Sequence, residues 1–90
     1  RKLADICERK RVTIVPHAFK THLLMAATLQ FIASLPDAWY MEFCEQDTVL
    51  RRELTRTMFE VDKDGFVEIP QSDGFGIELD WEALERYRVD

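Results

Sequence analysis

Two side chains in this sequence are of the kinds that move protons and stand where one sheet edge would deliver both: His17 and Glu42. His17 follows the β-branched run Val12-Thr13-Ile14-Val15 through Pro16, at the carboxyl end of what reads as a buried strand. In parallel sheets and barrels that end is where sites are built. An imidazole titrates near neutrality, so a fixed one there can take and return a proton; it serves equally as a structural group that caps the next helix or bonds a carbonyl. Glu42 interrupts Trp39-Tyr40-Met41-Glu42-Phe43-Cys44, an apolar run with strand character. An unpaired buried carboxylate is very costly, so Glu42 either lies on a strand face that meets water or is held at a site by partners. Alternation puts Tyr40, Glu42 and Cys44 on one face and Trp39, Met41 and Phe43 on the other. His17 and Glu42 then project from the same rim, which is an acid–base constellation of two members.

Other residues carry weaker chemistry. Lys20 either points a cation into the His17 pocket or extends into solvent. His22 opens an apolar helix, reads as a first-turn residue lining a loop, and has no second histidine four positions on to give it metal-ligand spacing. Asp62-Lys63-Asp64-Gly65 looks like half of a calcium loop, but with Gly65 at the sixth position the twelfth is Gln71, so turn chemistry explains it better. Gly74-Phe75-Gly76 lacks the glycines and flanks of a nucleotide-binding loop. Cys7 and Cys44 are isolated from one another and from any CxxC pattern, and read as reduced thiols of a cytoplasmic protein.

The elements that must position these groups follow from periodicity and punctuation. Residues 1–10 read as the end of an amphipathic helix with Arg9, Lys10 and Arg11 at its carboxyl end, where the helix dipole favours cations. The run 12–15 follows as a strand apolar on both faces, and helix, turn and buried strand together are the rhythm of a parallel α/β sheet. In Leu23 to Leu35 only Thr28, Gln30 and Ser34 are polar. A helix so apolar needs cover on more than one side. Pro36 ends it, residues 39–44 form the second strand, and 49–56 a short helix. Phe59-Glu60-Val61 and Phe66-Val67-Glu68-Ile69 alternate around Asp62 to Gly65 as a hairpin would. Asp80 caps a last helix, Trp81 to Tyr87, with Trp81, Ala83, Leu84 and Tyr87 on one face.

Composition bounds the rest. Ninety residues allow one small domain at most, and 47% hydrophobic with 32% charged residues excludes a disordered chain. No apolar run reaches the roughly 18 residues of a membrane span. The net charge is −5, with ten acids against three basic residues from position 60 onward, which argues against a nucleic-acid partner and reads as a solvated surface. The chain opens Arg-Lys-Leu-Ala with Leu3, Ile6 and Cys7 already at helical spacing, so it is expected to be a segment of a longer protein.

The order Ile14-Val15-Pro16-His17-Ala18-Phe19-Lys20-Thr21, apolar helix, Leu35-Pro36-Asp37-Ala38-Trp39-Tyr40-Met41-Glu42, and then Asp73-Gly74-Phe75-Gly76-Ile77-Glu78-Leu79-Asp80 resembles the C-terminal end of the enolase superfamily. The nearest likeness is to its mandelate racemase and muconate lactonizing enzyme branch, and it covers essentially the whole chain. The resemblance implies an α/β fold, the C-terminal portion of a modified TIM barrel of the (β/α)7β type. Residues 1–48 would supply its last strands and helices. Residues 49–90 would be a tail with a β-hairpin and short helix that returns to pack on a capping domain. It also implies that His17 is the general base at the end of the seventh strand, in a dyad with an upstream aspartate. Glu42 would be the acid that hydrogen-bonds the substrate carboxylate, and Lys20 falls beside the same pocket as a substrate-binding candidate. The implied reaction removes the proton alpha to a carboxylate, through an enediolate stabilised by Mg2+ whose ligands lie outside this segment.

These features lead to one reading and one rival. The first is a segment of a metal-dependent acid-sugar dehydratase or racemase, active only within the full-length chain and commonly homo-oligomeric, acting on a small carboxylate. A histidine base sets cycloisomerases behind those two classes. The second is a self-standing α/β binding or interaction module without catalysis, in which His17 is structural.

Overall fold

A computed structural model describes residues 2–89. Helix α1 (Lys2–Lys10) carries Arg9 and Lys10 in its last turn, complementing the negative end of the dipole. It closes with Arg11 in the left-handed region at φ 55°. The Val12 N–H reaches back to the Cys7 carbonyl at 2.9 Å, an arrangement that usually selects glycine and costs another residue about 1 kcal/mol or more. The chain then runs extended into β1 (His17–Ala18). Helix α2 (His22–Ala33) is capped by Thr21, whose hydroxyl accepts the Leu24 N–H. Strand β2 (Glu42–Phe43) lies parallel to β1, with His17 opposite Glu42 and Ala18 opposite Phe43. Two short capped helices follow, α3 (Val49–Glu53) behind Thr48 and α4 (Trp81–Arg86) behind Asp80. An isolated antiparallel bridge, Thr55 to Leu79, brings the segments beside these helices together.

The core sits on one stripe of α2. Met25, Ala26 and Leu29 are buried with Phe59, and Met41, Phe43, Val67, Ile69 and Ile77 pack around them. The tail therefore supplies part of the cover that so apolar a helix needs. Gln30 adds a polar tie, donating from Nε2 to the Pro70 carbonyl at 3.0 Å.

The architecture is α/β with a parallel pair, and four local expectations are corrected. The run Val12–Val15 is extended but unpaired among the described residues, with Val12 and Val15 more than half exposed; pairing is confined to 17–18. In the second run only Glu42–Phe43 pairs, and Trp39 and Tyr40 are exposed. The β-hairpin of the tail is a turn without a ladder. Asp62 Oδ1 accepts the N–H groups of Asp64 and Phe66, and Asp62 N–H donates to the Phe66 carbonyl, but neither flank is a strand. The aspartate side chain thus organises the reversal in place of cross-strand bonds. In α4, Ala83 is buried and Tyr87 half-buried, whereas Trp81 is exposed. Among the described residues no helix is long and apolar enough to cross a membrane.

Candidate active site

His17 and Glu42 meet because the parallel register sets them opposite each other. The Glu42 N–H donates to the Pro16 carbonyl at 3.0 Å, which fixes β2 against the residue before His17. Across that pair, His17 Nδ1 and Glu42 Oε2 are 2.6 Å apart. An ionised carboxylate only accepts, so Nδ1 carries the proton and donates it, and Nε2 is left with its lone pair. Phe19 stacks on the imidazole, centroids 5.5 Å apart and planes within 10°. The ring is thus held at an edge by Glu42 and on a face by Phe19.

Both side chains stay wet, 57% exposed for His17 and 64% for Glu42. An exposed ion pair adds only about 0–1 kcal/mol to folding, so stability is a weak account of why these two groups converge. Lys20 lies exposed on the loop between β1 and α2 and has no ion-pair partner among the described residues. It is near His17 in sequence but is bonded to neither member of the pair.

Two hollows lie elsewhere. One of about 430 Å³ is lined by Ala4, Val12, Ile14, Leu35, Pro36 and Ala38, at the opposite, amino-terminal ends of the strands. The other lies between α3 and α4, and its arginines are paired: Arg52 with Asp47, Arg56 with Glu78 and Asp80, Arg86 with Glu53. Among the described residues no group of three His, Cys, Asp or Glu could hold a metal ion.

His22 departs from its expected place. Instead of lining a loop it is 1% exposed, the bulkiest wholly buried side chain beside Met25. Its Nδ1 accepts the Phe59 N–H at 3.1 Å. Burial, and then the charge of Arg51, push its pKa below the ordinary histidine value. Arg51 is itself 8% exposed, with its guanidinium over the Phe43 ring at 5.4 Å. The sequence held the signal for this: His22, Met25, Ala26 and Leu29 recur at helical spacing on one face.

Comparison with known proteins identifies the family. Residues 1–83 match the enolase C-terminal domain-like family. The chain is 33% identical over 97 residues to D-galactarolactone cycloisomerase of Agrobacterium fabrum, covering 99% of this chain and 25% of that protein. It is 24% identical over 101 residues to D-xylonate dehydratase of Haloferax volcanii, covering 100% and 22%. The crystal structure of 3,6-anhydro-D-galactonate cycloisomerase from Zobellia galactanivorans superposes with a TM-score of 0.80 at 29% identity, covering 96% of this chain and 24% of that one. The chain thus spans about a quarter of the length of the relatives it matches. With residues 1–83 matched, the chain belongs to the enolase C-terminal domain-like family, within the enolase superfamily.

Proposed function

We propose that this chain supplies the proton-moving pair of an enzyme that acts on an acid sugar, abstracting the proton alpha to the carboxylate. The observation that carries the reading is the 2.6 Å contact between His17 Nδ1 and Glu42 Oε2 across a parallel register. With Nδ1 committed to Glu42, Nε2 is the nitrogen that takes the substrate proton. The imidazolium so formed keeps its Nδ1 hydrogen bond to the Glu42 carboxylate.

The proton on Nε2 then has two destinations. In a dehydration it goes to the hydroxyl leaving the neighbouring carbon; in a cycloisomerisation it goes to the atom that ring opening or closure leaves needing one. The names of the relatives support both outcomes, and two of the three are cycloisomerases, which returns to consideration a class that the histidine base had set behind racemases and dehydratases. Glu42 has a second oxygen with no partner among the described residues, and as an ionised carboxylate it accepts there from a donor beside the substrate carboxyl, such as an alpha hydroxyl. Lys20 is the cation on the same loop and balances charge that develops on the substrate oxygens. Within the larger fold this reading assigns residues 1–48 to the last strands and helices of a (β/α)7β barrel and 49–90 to its returning tail. Enolase superfamily members generally use Mg2+; its ligands would come from outside the described residues.

The test is His17→Asn in the intact protein, with a polyhydroxy carboxylate in deuterated water. Removing a positioned base costs about 10²–10⁴-fold in rate, so exchange of the alpha proton should fall by that factor while substrate binding persists. Exchange at the wild-type rate in this variant would end the assignment.

A further inference from the structure

His22 takes no part in the pair at the strand ends, yet its surroundings are the more demanding of the two. Its Nδ1 accepts the Phe59 N–H, and the Phe59 ring leans on it, centroids 5.8 Å apart at 45°. A ring nitrogen that accepts an N–H bond carries no proton, so the single proton of the neutral ring is on Nε2. That Nε2 is buried and without a partner among the described residues. The ring already holds one donor it cannot satisfy there, and a second proton would add a charge on the apolar stripe of Met25, Ala26 and Leu29.

We propose that His22 is an acid-released latch: neutral, it fastens the segment 57–60 onto α2, and protonated at Nδ1 it lets that segment go. Protonation replaces the acceptor facing Phe59 with a second donor, so the bond is lost and two N–H groups oppose each other. The groups around the latch favour release. Helix α2 contains no other titratable side chain. From α3 comes the cation Arg51, buried and without an ion-pair partner among the described residues, while Arg52 and Glu53 are engaged with Asp47 and with Arg86 and Tyr87. On β2, Glu42 is bonded to His17, and Cys44 beyond it is a buried free thiol. Glu60, in the docked segment, is exposed.

The sign follows from the lowered pKa of the docked ring. A released His22 takes its proton near the ordinary value of about 6.5, whereas the docked one resists it. Docking is therefore undiminished above that pH and weakens as the pH falls below it. The latch needs neither a substrate nor a proton transfer at His17, so it stands or falls apart from the proposed function.

Hydrogen exchange of the intact protein, followed by mass spectrometry between about pH 8 and pH 5 and corrected for intrinsic exchange, reads the latch directly. Peptides covering 57–60 should lose about tenfold or more in protection across that range, while those covering α4 change little. His22→Asn sets an amide oxygen where Nδ1 stands and cannot titrate, so its protection should be flat with pH. Arg51→Met removes the opposing charge, so the docked ring resists its proton less and the loss across the range should shrink. Constant protection in the wild type overturns the latch, as does a loss in His22→Asn equal to that of the wild type. Should His22→Asn fail to fold, a loss that Arg51→Met leaves unchanged or enlarges overturns it equally.

Discussion

Phe59 and Phe66 flank one turn, and the fold treats them oppositely: Phe59 is 7% exposed and Phe66 is 70% exposed. Truncating each to Ala separates the docking of the tail from its composition. A buried phenylalanine withdraws about 150–250 Å² from water. At about 25 cal/mol per Å² that amounts to about 4–6 kcal/mol, and about 3–5 kcal/mol remains as the cost of Phe59→Ala once the retained methyl is allowed for. Phe66→Ala should stay within about 0.5 kcal/mol. If the cost is local undocking, protection of the Met25, Ala26 and Leu29 amides against hydrogen exchange should fall by about two to four orders of magnitude in Phe59→Ala, at 1.4 kcal/mol per tenfold, and stay level in Phe66→Ala. A difference between the two variants of less than about 1 kcal/mol would mean that the tail does not cover α2, and the core described above would be wrong.

Gly76 and Gly74 both have positive φ, 71° and 68°, but a Cβ at Gly76 would lie 2.2 Å from the Cβ of Pro70, whereas one at Gly74 meets nothing within 4 Å. Gly74→Ala should therefore cost only the backbone strain of about 1–2 kcal/mol, and Gly76→Ala about 1–3 kcal/mol more from overpacking, measured by denaturant midpoints. The Asp80 carboxyl is held below the usual carboxylate range, first by the Ala83 N–H, with burial opposing it as the next-largest effect and Arg56 and the Glu82 N–H adding to the lowering. The cap is then complete above the unfolded-state value of about 3.9 and is lost as the pH falls through the lower folded one; Asp80→Asn should remove the acid-dependent part of the loss of protection in α4, and an unchanged acid profile would refute the assignment.

Helices and caps were legible because their signals are local. Asp80 stands at the cap read for it, and the apolar helix expected at Leu23 to Leu35 runs His22–Ala33. The strands were less so. A β-branched run such as Val12–Val15 states a preference for extended backbone, but pairing needs a partner at the right height, and β2 meets β1 only at His17 and Ala18. The tail turn was readable from Asp62 and Gly65, while its flanks follow the core on α2, a long-range demand that alternation between Phe59 and Ile69 does not encode. The convergence of His17 and Glu42 was inferable only as a shared rim. Their direct contact depends on the register and on the Pro16 carbonyl that accepts the Glu42 N–H, neither of which periodicity specifies.

The two histidines show why residue type alone decides so little. Each is bonded through Nδ1, but the partners demand opposite tautomers. Glu42 is an acceptor, so His17 keeps its proton on Nδ1 and turns a lone pair outward at Nε2. The Phe59 N–H is a donor, so His22 gives up Nδ1 as an acceptor and keeps its proton on a buried Nε2. Solvent sharpens the contrast, since the His17 pair is more than half exposed and His22 is almost wholly excluded from water. A base needs an accessible lone pair and a partner that welcomes the positive ring. His17 has both; His22 has neither, because Nε2 offers no lone pair and the one charge bearing on it, Arg51, is of the wrong sign. Exchanging the partners would exchange the tautomers: a buried donor facing His17 Nδ1 would leave no lone pair outward at Nε2 and so remove the proposed base, and the fold prevents this by setting Glu42 opposite it on β2.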